Sequence, residues 1–303
     1  MKTVVLIPAL NEELTVAKVV KDFRRELPKA DIQVWDNGST DKTAANARKA
    51  GAKVVVFPRK GKGRVMQEMF ESVDADLFVL VDADDTYEAK EVHRLIDPVA
   101  KGDADMCVGT RLEQFSKEEK RVLHGFGNRL ILAALHFCFP TRIKDMLSGY
   151  RVFNREVARS VNLLSHGFTV ETELTVKSLE EGFSIKEMPI SYRPRPQGSK
   201  SKLHTWEDGM FILTTVLSLF RDYRPMQFFL LISIIPFAVA VGFGSVVLAE
   251  YFKIGTITKV GTLIMAVLFF IITFILWSMG FLASSIHQLK RETMSVLIKM
   301  RKR

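Results

Sequence analysis

Two long stretches without a charged side chain restrict what this chain can fold into more than any other feature does. Residues 228–248 form one stretch of 21 residues, and residues 260–286 form a second of 27 residues. About 20 apolar residues cross the hydrocarbon core of a bilayer as a helix. Buried core helices rarely run so long without a polar face, so we predict two transmembrane helices. The short connection of residues 249–259 makes them a hairpin with both ends on one side of the membrane.

Lysine and arginine side chains around the hairpin predict its orientation. Arg221 and Arg224 precede the first apolar stretch, and the segment that follows the second is strongly basic. The connection carries only Lys253 and Lys259, which Glu250 partly offsets. Since cytoplasmic flanks are enriched in positive charge, both termini are predicted to lie in the cytoplasm. The formal net charge of +9 then has a membrane explanation, and no aromatic and basic stripe points to nucleic acid.

Residues 1–110 alternate short apolar runs with segments of helical periodicity. The apolar runs are residues 3–7, 32–35, 53–57, 77–81 and 106–109. The helical segments are residues 14–23, 42–50, 64–72 and 89–99. Because parallel strands need a crossover between them, this alternation predicts an α/β fold with a mostly parallel sheet.

Polar loops follow three of the predicted strands, at residues 8–13, 36–41 and 82–86. On a doubly wound sheet the carboxyl ends of the strands meet at one crevice, where ligands bind. Asn11 and Glu12 could bond a ribose or a base edge, and Asp36 could accept from a base N–H. Taken singly, each has a local alternative, as a helix cap or as part of a turn.

Asp82 and Asp84 stand at the end of the apolar run of residues 77–81. Two acids at a strand end favour a hard divalent cation, Mg²⁺ or Mn²⁺, that holds a phosphate. The simpler alternative is that these acids end the strand and begin a turn. The occurrence of three polar loops at predicted strand ends favours the cation.

A basic loop with two glycines, residues 59–63, follows the third apolar run. Gly61 would let the backbone approach a phosphate, and Lys62 would neutralise it. The loop lacks the Ser or Thr of a Walker sequence. A solvated basic turn remains the alternative.

Taken together, these loops resemble the signatures of a known family. Residues 8–13, residues 35–43 and Asp82-Ala83-Asp84 are similar to three signatures of family 2 inverting glycosyltransferases with the GT-A fold. Later motifs at residues 108–111, 145–151 and 198–203 resemble those of the polyprenyl-phosphate glycosyltransferases, the group that includes dolichol-phosphate mannose synthase.

The resemblance implies roles for individual residues. Asp36 is implied to contact the nucleotide base, and Asp82 and Asp84 to bind the metal beside the donor diphosphate, which makes Asp84 a catalytic residue. Asp145 is implied as a catalytic base, with the alternative that it only positions Arg151. With Gly61 and Lys62 of the basic loop, the other predicted donor-binding residues are Pro8, Asn11, Glu12 and Ala83. The implied acceptor-phosphate residues are Arg111, Ser148, Arg151 and Lys202.

The chain departs from the family pattern at two positions. Trp35 stands where the family often has an acid, and Thr86 stands where some synthases have a glutamine. The Gln-x-x-Arg-Trp sequence of the processive polysaccharide synthases does not occur in the chain. This argues against a polymerase.

The predicted organisation has four parts. A GT-A domain occupies residues 1–205, an interfacial amphipathic helix occupies residues 206–225, the two transmembrane helices lie within residues 226–286, and a basic cytoplasmic tail ends the chain at residues 287–303. Residues 121–139 carry a second amphipathic pattern, which fits either the membrane interface or packing on the sheet. The small residues Gly242, Gly244 and Ser245 are compatible with a homo-oligomer.

The combined prediction is an integral membrane, metal-dependent inverting glycosyltransferase. It transfers a sugar from UDP-GlcNAc, UDP-Glc or GDP-Man to polyprenyl phosphate on the cytoplasmic leaflet and gives a β-linked product. The alternatives are a membrane glycosyltransferase with another lipid or glycan acceptor, and a non-catalytic membrane adaptor that binds nucleotide sugars. The sequence leaves the sugar and the nucleotide open.

Overall fold

The structure is a computed structural model of the 303-residue chain. It describes residues 1–59, 61–111, 132–133, 135–137, 141, 143–163, 170–194, 214, 217–218 and 220–301. The chain divides into two compact units, Met1–Met210 and Phe211–Arg303.

A seven-stranded sheet forms the centre of the first unit. Its strands are β1 (Thr3–Ala9), β2 (Asp31–Asp36), β3 (Lys53–Val56), β4 (Leu77–Leu80), β5 (Met106–Thr110), β6 (Arg151–Asn154) and β7 (Ile185–Pro189). They lie in the order β3-β2-β1-β4-β6-β5-β7. β6 runs antiparallel to β4 and β5, and the other neighbouring pairs are parallel. The prediction of a mostly parallel sheet is confirmed.

Helices cover both faces of this sheet. They are α1 (Val16–Glu26), α2 (Thr43–Lys49), α3 (Lys62–Ser72), α4 (Val92–Ala100), α5 (Arg155–Ser160) and α6 (Val170–Glu180). Successive side chains of a strand point to opposite faces, so β1 contributes to two cores. Val5 and Ile7 pack in the cluster that includes α1, α2 and α4, whereas Val4 and Leu6 pack in the cluster that includes α3, α5 and α6.

The predicted elements of the first 110 residues agree with the structure. The five apolar runs correspond to β1–β5, and the four helical segments correspond to α1–α4. The sequence analysis missed β6 and β7. β6 has four residues and begins with Arg151, so it carries no apolar run, and its place between β4 and β5 depends on pairing with distant parts of the chain.

Two long helices, α7 (Pro225–Ile254) and α8 (Val260–Arg301), form most of the second unit. Both are long and apolar enough to cross a membrane, over Pro225–Ile254 and Val260–Lys290. Only 17% and 11% of their most apolar windows are buried, whereas the core helix of a soluble protein would be mostly buried. The prediction of two apolar helices that could form a transmembrane hairpin is therefore confirmed.

The two helices contact each other directly. Trp277 Nε1 donates a hydrogen bond to Ser233 Oγ at 2.8 Å, which satisfies two polar groups between apolar surfaces. Gly255, with φ +76°, ends α7. A left-handed backbone at this position favours glycine.

Some predicted boundaries differ from the structure or lie outside it. α8 continues to Arg301, so most of the predicted tail at residues 287–303 extends the helix. The predicted interfacial helix of residues 206–225 and the amphipathic segment of residues 121–139 lie largely outside the described residues. The four-part organisation of the chain stays a prediction.

Candidate active site

The polar loops that follow β1, β2, β3 and β4 lie at one edge of the sheet, because these four strands are parallel. β1 lies between β2 and β4, so the strand order changes direction there. Ligand crevices of open α/β sheets form at such a point, outside the carboxyl ends of the strands. The observed edge is therefore the expected place for a ligand.

Asn11 fastens the loop after β1 to the loop after β2. Its Oδ1 accepts from Thr40 N at 2.8 Å, and its own N–H donates to Ser39 Oγ at 2.9 Å. Its backbone has φ +51°, a conformation that asparagine tolerates better than most residues. Glu12 starts the approach to α1, since its carbonyl accepts from Thr15 N and Val16 N. Asn11 and Glu12 therefore have the structural roles, in a turn and at the start of a helix, that the sequence offered as the alternative to ligand binding.

Asn37 joins the loop after β2 to the basic loop after β3. Its Nδ2 donates to Arg59 O at 2.7 Å and to Phe57 O at 3.3 Å, and its Oδ1 accepts from Gly61 N at 2.9 Å. The sequence analysis treated Asn37 only as part of a turn. The buried side chain of Asn37 holds the backbone of Gly61, and the preceding residue, Asp36, is itself only 4% exposed.

Lys62 brings the basic loop to the acids after β4. Its Nζ lies 2.6 Å from Asp82 Oδ1 and 2.5 Å from Glu171 Oε1. Burial alone would lower the pKa of Lys62, but the charges of Asp82 and Glu171 outweigh it and raise the pKa. Glu171 lies on α6 and was not predicted. The sequence around Glu171 gives no indication of this role, because Glu171 is 109 residues away from Lys62 along the chain.

Gly149 packs directly against Asp82. A Cβ at this position would lie 2.2 Å from Asp82 Oδ2, so any other residue here would displace the Asp82 carboxylate. The Gly149 N–H donates to Tyr87 Oη at 3.0 Å. Two residues after Asp82, Asp84 Oδ1 accepts from Thr86 Oγ1 at 2.6 Å. Pro8, in β1, and Ala83, after β4, were both predicted to bind the donor, and both are buried at this edge.

Asp82 and Asp84, the two predicted metal-binding acids, both lie at this edge, after β4. Among the residues that the structure describes, no group of three or more His, Cys, Asp and Glu side chains could hold a metal ion. Mg²⁺ is usually held by one or two carboxylates together with substrate phosphates. The Lys62 ammonium against Asp82 also marks a position that attracts a cation. The residues therefore fit a divalent ion that a diphosphate helps to hold.

Arg111 and Asp145 form a second polar centre. Arg111 Nε donates to Asp145 Oδ2 at 2.9 Å, and Nη2 donates to Oδ1 at 2.8 Å. Burial would raise the pKa of Asp145, but the hydrogen bonds and charge of Arg111 outweigh it and lower the pKa. The Arg111 guanidinium also lies 5.5 Å from the centre of the Tyr192 ring. Glu187 accepts from the backbone N–H groups of Lys144 and Asp145.

Arg151 is placed differently from the expectation that it binds the acceptor phosphate. It is fully buried, and its guanidinium donates to Ser148 O, Met146 O and Thr175 Oγ1 at 2.7–2.9 Å. Ser148 is buried too, and its hydroxyl donates to Gly109 O. In this arrangement both residues hold the backbone of residues 146–149. Asp145 pairs with Arg111 rather than with Arg151, and Lys202 lies outside the described residues.

The fold and this edge define a class: an α/β domain of the nucleotide-binding type, with polar and acidic loops at the carboxyl ends of its parallel strands. The family model described as Glycosyl transferase family 2 matches residues 4–161. The chain belongs to glycosyl transferase family 2. The resemblance predicted from the loops is thus confirmed at the level of the family.

Individual relatives agree with this assignment. The chain is 36% identical over 226 residues to "Glycosyltransferase AglJ" of Haloferax volcanii, across 74% of each chain. It is 29% identical over 229 residues to "Polyprenol monophosphomannose synthase" of Mycolicibacterium smegmatis, across 69% of this chain and 84% of the relative.

A crystal structure has a similar fold. Glucosyl-3-phosphoglycerate synthase from Mycobacterium tuberculosis, in complex with Mn²⁺, UDP and glucosyl-3-phosphoglycerate, superposes with a TM-score of 0.60. The two chains are 24% identical over 72% of this chain and 78% of that one. This likeness establishes the GT-A type of fold for the first unit.

Proposed function

We propose that this protein transfers a sugar from a nucleotide-diphosphate sugar to polyprenyl phosphate, with inversion at the anomeric carbon. The observation that carries the proposal is the pairing of two features in one chain. A diacid edge with a basic, glycine-containing loop stands in the first unit, and two helices able to cross a membrane stand in the second. The name of the Mycolicibacterium smegmatis relative supports a polyprenol acceptor.

The donor would bind across the loops after β1, β2 and β3. Asp36, at the end of β2, would accept from a base N–H, and Asn37 holds the loop from which Gly61 and Lys62 would approach the diphosphate. Uracil and guanine both offer N–H donors, so Asp36 is compatible with a UDP-sugar or a GDP-sugar.

The leaving diphosphate needs neutralisation as the glycosidic bond breaks. A Mg²⁺ or Mn²⁺ ion held by Asp82 and Asp84 would supply that positive charge when bound. Lys62, at 2.6 Å from Asp82, adds a second cation from the protein itself. Thr86 supports the site by fixing the orientation of Asp84.

An oxygen of the acceptor phosphate would be the nucleophile that attacks the anomeric carbon. A phosphate monoester has a second pKa of about 6, so it is largely a dianion at neutral pH and needs little help from a general base. Asp145 fits the role of a positioning residue, because both of its oxygens accept from Arg111. Among the described residues, Arg111 is the arginine that we propose binds the acceptor phosphate, since a guanidinium binds phosphate through two hydrogen bonds.

The membrane hairpin would hold the enzyme at the surface where the lipid phosphate lies. The basic flanks favour a cytoplasmic location for both termini and for the catalytic unit. Attack by the phosphate opposite the leaving group would convert an α-linked donor into a β-linked polyprenyl-phosphate sugar.

A donor panel tests this proposal. Purified protein in detergent would be incubated with radiolabelled UDP-GlcNAc, UDP-Glc or GDP-Man, polyprenyl phosphate and Mg²⁺ or Mn²⁺. One donor should give an organic-soluble, acid-labile product. Failure with every donor, or transfer to diacylglycerol or a glycan in parallel reactions but not to polyprenyl phosphate, would reject the polyprenyl-phosphate acceptor.

The role of the acids is tested in the same assay. Asp84→Asn should abolish both transfer and metal-dependent nucleotide binding. Asp85→Asn is the matched control, because Asp85 is the next residue but pairs with Lys18 outside the diacid. Unchanged activity of Asp84→Asn would remove the metal from the proposal.

A further inference from the structure

One lysine connects the diacid to an acid that lies on another element. Lys62, the first residue of α3, is bracketed by Asp82 after β4 and by Glu171 on α6, at 2.6 and 2.5 Å. The exposed side-chain fractions are 24% for Lys62, 26% for Asp82 and 5% for Glu171. The lysine is thus held between an accessible acid and a buried one.

Burial explains why the lysine stays there. A carboxylate as buried as Glu171 needs a partner, because an unpaired charge in the protein interior is strongly unfavourable. The backbone before Lys62 is also held, since the Gly61 N–H donates to Asn37 Oδ1 at 2.9 Å. Glu171 therefore anchors Lys62, and the accessible Asp82 is the contact that can be exchanged.

Lys62 and a divalent metal ion would compete for the carboxylate of Asp82. Asp82 Oδ1 carries the Lys62 ammonium, and a divalent ion bound to Asp82 would repel that ammonium at close range. A nucleotide diphosphate offers the lysine a new anionic partner. With a diphosphate present, metal and lysine would share its charge instead of competing for Asp82.

We infer that Lys62 is a resident counter-ion of Asp82, anchored by Glu171, which opposes binding of the metal alone and makes metal and nucleotide bind together. The inference rests on the proposed function for the identity of the ligands. It assigns Glu171 as a positioning residue that acts through Lys62. The enzyme would then bind little free metal until the donor arrives.

The test measures Mn²⁺ binding without any nucleotide, by loss of the free-ion signal in electron paramagnetic resonance. The full-length protein in detergent is used. Lys62→Gln should bind Mn²⁺ about tenfold more tightly than the unchanged protein, because a repelling charge has been removed. Glu171→Gln should bind Mn²⁺ more weakly, because the Lys62 ammonium then has Asp82 as its one remaining acidic partner of the two and neutralises it more strongly. Partial unfolding would weaken Mn²⁺ binding in both variants, so it cannot explain changes in affinity of opposite sign.

Lys18→Gln is the matched control. Lys18 contacts Asp85 at 2.6 Å, so this variant removes one lysine charge near the same loop without touching Asp82. Lys62→Arg keeps the charge and should bind Mn²⁺ as the unchanged protein does. Thermal unfolding of each variant checks the fold.

A second titration adds UDP. In the unchanged protein, saturating UDP should tighten Mn²⁺ binding by a much larger factor than in Lys62→Gln, because the lysine no longer links the two ligands. Equal Mn²⁺ affinity in Lys62→Gln and Lys18→Gln, or tighter binding in Glu171→Gln, would overturn the inference. These readouts need no sugar transfer, so a failed acceptor assay would reject the proposed function and leave the counter-ion inference standing or falling on its own.

Discussion

Arg111 and Asp145 are joined by two parallel hydrogen bonds, from Nε to Oδ2 at 2.9 Å and from Nη2 to Oδ1 at 2.8 Å. The Arg111 backbone N–H adds a third bond to Oδ2 at 3.1 Å. Both oxygens of the carboxylate are therefore engaged by the arginine. This geometry is typical of an acid that orients a cation, and a general base would need an oxygen free to accept a proton from the substrate.

Asp145→Asn is expected to impair acceptor binding more than turnover. The amide keeps the shape of the side chain but can accept through only one atom, so Arg111 loses its fixed orientation and its neutralising partner. Breaking a buried ion pair costs about 3–5 kcal/mol, and lower thermal stability should accompany the change. Steady-state kinetics should show a raised KM for polyprenyl phosphate with a smaller fall in kcat.

Arg111→Lys is the companion variant. It keeps the positive charge but loses the two-bond contact, so it should show the same KM effect at nearly normal nucleotide affinity. A collapse of kcat at unchanged acceptor KM in Asp145→Asn would instead identify Asp145 as the base.

The pH profile gives an independent measurement of the same assignment. Arg111 lowers the pKa of Asp145 below its ordinary value of 3.8, so Asp145 is ionised throughout the range above that pH. Protonation of Asp145 then cannot reduce activity in mildly acidic solution. Protonation of the acceptor phosphate, whose second pKa is about 6, can reduce activity in that range.

We therefore expect kcat/KM for the acceptor to fall as the pH drops through about 6. Asp145→Asn should keep the same midpoint at a lower plateau. The measurement is initial rate against pH at saturating donor. Disappearance of the acidic limb in the variant would assign that limb to Asp145 and contradict the prediction.

Gly149→Ala tests how closely the chain packs behind the diacid. The added Cβ would lie 2.2 Å from Asp82 Oδ2 and 2.8 Å from its Cγ, so Asp82 must move. Misplacing a catalytic group by about 1 Å can cost about 100-fold in rate, and overpacking costs about 1–3 kcal/mol in stability. Transfer activity and Mn²⁺-dependent UDP binding should both fall by much more than the stability loss explains.

Gly242→Ala is the control for that substitution, since nothing lies within 4 Å of its added Cβ. It should leave UDP binding unchanged. Normal UDP binding in Gly149→Ala would mean that Asp82 does not hold the metal in the way proposed.

The sequence located those parts of the fold and site whose signal is local. Apolar runs identified β1 and β4, and the acids that follow β4 are where they were expected. β6 was missed because its four residues gain their place only from pairing with β4 and β5. The side chain of Asn37 was passed over because its partners lie 20 to 24 residues downstream.

Burial explains the other differences at the site. Nothing in a one-dimensional pattern separates Arg111, which stands at the edge of the sheet, from Arg151, which has no exposed surface. Glu171 was overlooked for a related reason. An acid on a helix usually faces solvent, and only the approach of α6 to Lys62 gives this one its role.

Gly280 offers a test of the hairpin in the second unit. A Cβ at this position would lie 3.0 Å from Phe229 Cβ and 3.5 Å from Met226 Cα, so α7 and α8 approach closely there. Small residues at such crossings let helix backbones pack in lipid. Gly280→Leu should therefore force the helices apart and lower the thermal stability of the purified protein in detergent by about 1–3 kcal/mol. Gly261→Leu, at a position with open space, should be tolerated, and equal stability of the two variants would show that the two helices do not pack together through Gly280 in the folded protein.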